Sequence, residues 1–80
     1  MNDTNFENFM KVYAKHLGDA RREYPTHYVW PEEMFSTVVE RMKNAIYAGT
    51  FNKDGWAFKR TCKELGIKYT YSAISAYLER

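Results

Sequence analysis

The imidazoles and the thiol of this 80-residue chain, the side chains best suited to hold zinc, are His16, His27 and Cys62. The histidines stand eleven residues apart and the cysteine lies far along the chain, so nothing has the ligand spacing of a zinc site. Each histidine reads instead as a surface or half-buried side chain. Lys63 beside Cys62 would favour a thiolate, but the inward helical position of Cys62 makes it a small buried hydrophobe. The acids, Glu32-Glu33 included, form no pair around a cleft, and the glycines (Gly18, Gly49, Gly55, Gly66) stand singly rather than in a phosphate-cradling loop. The sequence therefore predicts no catalytic residue, no cofactor and no metal, hence no enzyme.

The residues that could do other chemistry are cationic and hydroxyl-bearing. Residues 1–40 hold four Lys/Arg against seven acids, a net charge of −3, whereas residues 41–80 hold eight against three, a net of +5. A basic half can concentrate a polyanion at one face, although solvated surfaces of this charge are common. Lys59, Arg60, Lys63 and Lys68 cluster in it, followed by Tyr69, Thr70, Tyr71, Ser72 and Ser75.

The length allows one small domain to carry these residues, and 45% apolar residues with 18% aromatics indicate a globular chain. A core of this size is marginal, which leaves a homodimer open. One cysteine fits a reducing cytoplasm. The start of the chain lacks a signal-peptide pattern and no apolar run reaches membrane-spanning length, so a cytoplasmic protein without a membrane partner is expected.

The periodicity predicts an all-α fold: a small three- to four-helix bundle with helices near residues 5–17, 31–48, 56–65 and 71–79. Thr4 to Glu7 reads as a capping box, Phe6, Phe9, Met10, Tyr13 and Leu17 share one face, and Gly18 is a stop. Tyr24 to Trp30 is a connector whose rings are expected to pack over the open end of the core. Pro31 suits a helix's first position, and the stripe Phe35, Val38, Val39, Met42, Ile46 makes the second helix the clearest prediction, ending at Gly49. Residues 50–55 have turn composition. The expected organisation is one domain, with an N-terminal helix and aromatic connector over 1–30 and the helical core over 31–80.

In the last third, Trp56, Ala57, Phe58, Thr61, Cys62 and Leu65 form an inner face, Gly66 closes the helix, and Thr70 caps a second one through Tyr71, Ile74 and Leu78. Thr61-Cys62-Lys63-Glu64-Leu65-Gly66-Ile67 followed by Ser72 to Leu78 resembles the helix-turn-helix of phage repressor and Cro-type regulators, with a connection about two residues longer than usual. The chain from Tyr28 onward is also similar to a group of small prophage proteins sharing Trp30-Pro31, Asn52-Lys53-Asp54 and the Cys62–Tyr71 run.

These resemblances imply a phage or prophage regulatory protein in the bacterial cytoplasm that binds double-stranded DNA. Lys59, Arg60 and Lys63 would meet phosphates, and Lys68, Tyr69, Thr70, Tyr71, Ser72 and Ser75 would start the groove-facing helix. The absence of Arg, Asn and Gln from that stretch implies modest sequence specificity. The competing expectation is a module that binds a host protein, such as a bacterial defence complex (anti-CRISPR-like) or a transcription complex, using the acidic first half or the Tyr24–Trp30 aromatics.

Overall fold

Four helices form the bundle in the computed structural model, which describes residues 1–53 and 55–80. They are α1 (Asp3–Glu23), α2 (Phe35–Ala48, preceded by a 3-10 turn over Glu32–Met34), α3 (Trp56–Leu65) and α4 (Tyr71–Glu79). Asp54, part of the predicted turn, lies outside the described residues. Among the described residues there is no strand, as the all-α expectation requires.

The first helix is longer at both ends than its pattern predicts. Asn2, not Thr4, is its cap: the Asn2 side-chain oxygen accepts from Asn5 N–H at 3.1 Å. Gly18 does not stop it, because a lone glycine weakens a helix only slightly and the buried Ala20 lies beyond. The helix ends at Glu23, and Tyr24, ahead of Pro25, leaves the helical region without becoming fully extended (φ −128°, ψ 63°). Pro31 also sits one step outside its predicted place. It precedes the 3-10 turn, its carbonyl accepting from Met34 N–H at 3.0 Å, and α2 begins only at Phe35.

α2 and α3 end as expected and in the same way. Gly49 and Gly66 take left-handed angles (φ 75° and 71°), and the next amides reach back: Thr50 N–H to Ala45 O and Ile67 N–H to Cys62 O, both at 2.9 Å. Thr70 caps α4 by accepting from Ala73 N–H at 3.1 Å. At its other end, the carbonyls of Tyr77 and Leu78 accept from Asn5 Nδ2 (2.8 Å) and Asn2 N–H (2.6 Å). The start of α1 thus satisfies orphan acceptors at the end of α4.

α1 runs along the core beside the elements of residues 31–80. It buries Phe6, Phe9, Met10, Tyr13, His16, Leu17 and Ala20. α3 lies closely against it, with Phe58 between Phe9 (ring centroids 5.6 Å) and Tyr13 (4.9 Å), and Ala57, Thr61 and Cys62 buried alongside. Ile74 and Leu78 of α4 close the same cluster. Phe51, a turn residue by composition, stacks on Phe58 at 5.9 Å and is buried.

The second helix, the clearest in the sequence, is the least buried. Only Ile46 is fully enclosed, and Phe35, Val38, Val39 and Met42 are half-buried against the cluster. Its periodicity is amphipathic as predicted, but that face is covered only in part, by α1 and by Trp30 of the connector, whose ring lies 6.1 Å from that of Phe35. The last two helices accordingly dock on α1 rather than under α2.

The connector divides. Tyr28 and Trp30 pack against the core as expected, while Tyr24, His27 and Val29 are exposed. Arg21 secures it, donating from Nε to Trp30 O at 3.1 Å with its guanidinium 5.3 Å from the Trp30 ring centre.

Candidate nucleic-acid interface

α3 turns Ala57, Phe58, Thr61 and Cys62 inward, and helical spacing then forces Lys59, Arg60 and Lys63 outward. All three are exposed, as is Lys68 in the connection to α4. Among the described residues, none of these four cations has a carboxylate within 4.0 Å. Arg60 instead lies over the Trp56 indole, 5.0 Å from the ring centre.

The one acid on α3 faces away from this role. Glu64 Oε1 accepts from Lys15 Nζ at 2.7 Å and lies 3.0 Å from His16 Nε2. The Lys15 hydrogen bond, with a smaller one from His16, holds the Glu64 carboxyl below its ordinary range. Its charge is thereby answered from α1, and none of the α3 cations is ion-paired to it.

His16 is buried, which corrects the surface or half-buried expectation. It lies in the α1 stripe between Tyr13 and Leu17, and Glu64 supplies the partner that a buried imidazole needs. Its Nδ1 lies 4.0 Å from Asp19 Oδ2 and has no hydrogen-bond partner. His27 is exposed. Cys62 is buried, and desolvation pushes its thiol pKa up against a weaker opposing influence from Lys53. Among the described residues, no group of three His, Cys, Asp or Glu is placed to hold a metal ion.

The predicted start of the second helix is partly occupied with structure. Tyr69 and Tyr71 come together around Lys53, whose ammonium lies 4.6 and 4.8 Å from their ring centres. The Tyr71 hydroxyl accepts from Lys53 N–H at 3.1 Å, and its ring packs on Phe51 at 5.4 Å. Thr70 is engaged as the cap, whereas Ser72 and Ser75 are exposed. Lys53, noted in the sequence only as part of the Asn52-Lys53-Asp54 run, was not among the expected site residues. Its partners lie sixteen and eighteen positions away, and no local pattern announces such a contact.

The helix, glycine turn, helix order of residues 56–79 is present, with five residues from Gly66 to Thr70 between the helices. α4 is seated more on α1 than on α3. No family model, curated protein or solved structure matches the chain. What this face can do chemically consequently rests on its own side chains: exposed cations able to meet anions, hydroxyls able to make polar contacts, and rings able to stack. No described helix is long and apolar enough to cross a membrane.

Proposed function

We propose that the protein is a small phage or prophage regulatory protein that binds double-stranded DNA through the outer face of α3 and the α3–α4 connection. The observation that carries this reading is the set Lys59, Arg60, Lys63 and Lys68: four exposed cations with no carboxylate within 4.0 Å among the described residues, beside a glutamate already bound to Lys15 and His16. Neutral Ser72 and Ser75 on α4 support phosphate-dominated binding with little base discrimination. Four phosphate contacts give a log–log salt slope of about −3.6, or roughly a hundredfold loss of affinity between 50 and 200 mM salt.

The test is fluorescence anisotropy of a labelled duplex over a salt series, with the quadruple variant K59A/R60A/K63A/K68A alongside. Micromolar binding with that slope, lost in a variant that keeps its helical circular dichroism, is the expected result. Absence of binding at low salt, or equal binding by the quadruple variant, overturns it.

A second reading is favoured by α2. Its Phe35, Val38, Val39 and Met42 are only half-covered, and Met34 and Tyr47 at its two ends are exposed, a surface suited to a host-protein partner. Retention of all activity in cells by the folded quadruple variant, with loss on changing Met34 and Tyr47 to Ser, would favour that reading over DNA.

A further inference from the structure

A second feature lies beside the α3 cations and is not used by them. Where α1 runs into the connector, Tyr24, His27, Tyr28 and Trp56 line a mostly apolar surface cleft of about 340 Å³. Tyr24 meets Trp56 edge-on at 5.7 Å and His27 at 6.0 Å, so neighbouring rings support one another at steep angles. Tyr24 and His27 are exposed, and the core leaves them open to a ligand. An open, ring-lined cleft has two common occupants: a cation held against the π faces, or a flat ring stacked on one of them.

The surroundings choose between them. Arg60 already lies over the Trp56 indole, so a second cation at that ring would sit beside the first. Asp19, on that side of Trp56, is bonded to Arg22, and Glu23 is the remaining acid there. A neutral flat ring tethered to an anion complements both features: the ring enters the cleft and the anion meets Arg60, with Lys63 one turn further on. The cleft between α1 and Phe35, of about 370 Å³, offers no such match. Its cations Lys15, Arg21 and Arg22 already face Glu64, Glu32 and Asp19.

We propose that the cleft of Tyr24, His27, Tyr28 and Trp56 receives one unstacked nucleobase whose phosphate rests on Arg60. This rests on the DNA reading and adds to it a preference for duplexes that offer an unpaired base, such as an end or a junction.

The experiment compares three labelled duplexes in anisotropy: blunt, with a one-nucleotide thymine overhang, and with an abasic overhang of equal charge. Stacking of one base predicts about tenfold tighter binding to the thymine overhang than to the abasic one. Tyr24→Ala, and separately His27→Ala, abolish that difference while leaving affinity for the abasic duplex and its salt slope unchanged. In a Trp30→Phe background, where Trp56 is the only tryptophan, the thymine overhang quenches the emission and the abasic one does not. Equal affinity for the two overhangs, with salt-dependent binding to both, overturns the base cleft and leaves the DNA reading standing. No binding to any duplex at low salt overturns both.

Discussion

α3 and α2 are both amphipathic helices packed on α1, yet they are held very differently. α3 buries four of its ten residues, with Phe58 lodged between Phe9 and Tyr13, and is stitched to α1 by Glu64. α2 buries one of its fourteen. The difference shows that an apolar stripe states what a helix offers, whereas burial depends on how many neighbours cover it. α3 is covered by α1, by Phe51 and, at Trp56, by Tyr24 at the start of the connector. α2 lies on the outside of α1 with nothing described over its far flank.

The sharpest way to break this comparison is to truncate one large side chain on each side. Phe58→Ala opens a cavity among Phe9, Tyr13 and Phe51 and should cost about 3–5 kcal/mol, a large share of the stability of a domain this small. Val38→Ala, at a half-buried position, should cost no more than about 1 kcal/mol. Urea unfolding followed by circular dichroism measures both. A Val38→Ala loss near that of Phe58→Ala would mean that α2 is fully covered in solution, as a homodimer through this face would make it.

At the hinge between α1 and α4, Asn2→Ala removes the cap of α1 and a bond to the α4 carboxyl-terminal end together. About 1–2 kcal/mol is expected in the same measurement. A negligible change would show that the α1–α4 junction frays, and would place α4 with α2 among the loosely held elements.

Much of this was legible in the sequence. The inward faces of α1, α3 and α4, the left-handed stops at Gly49 and Gly66 and the Thr70 cap each follow from local spacing or from a residue's own backbone preference. The exposure of Lys59, Arg60 and Lys63 follows from the same periodicity. What was illegible is long-range. Phe51 becomes core because Phe58 faces it, and Lys53 meets Tyr69 and Tyr71 because the loop folds back. His16 is buried because Glu64 arrives from another helix. Similarly, the half-coverage of α2 depends on the number of helices in the bundle, which no single stripe encodes.

Gly18 tests the looser side from within α1. Its φ is not positive, and an added Cβ would meet Phe35 Cε2 at 3.5 Å, an ordinary contact. Gly18→Ala should therefore stabilise the protein by about 0.5–1 kcal/mol through helix propensity, read as a higher Tm. A loss instead would mean that α2 sits tighter on α1 than its burial indicates.

The smallest expected effect lies on the tight side and depends on pH. Glu64, with its carboxyl held below the ordinary value of 4.5 mainly by Lys15, binds fewer protons folded than unfolded between those two values. Its contribution is therefore fully present above pH 4.5 and is lost as pH falls through the folded value. Lys15→Ala removes the main cause, so the Tm gap between wild type and variant should be small at pH 7 and should close on acidification below pH 4.5. Both partners are partly exposed, and the gap at pH 7 should also shrink in high salt. A gap that persists unchanged to pH 3 would assign the role of Lys15 to packing of its aliphatic stem, and the α1–α3 contact would then rest on its apolar core alone.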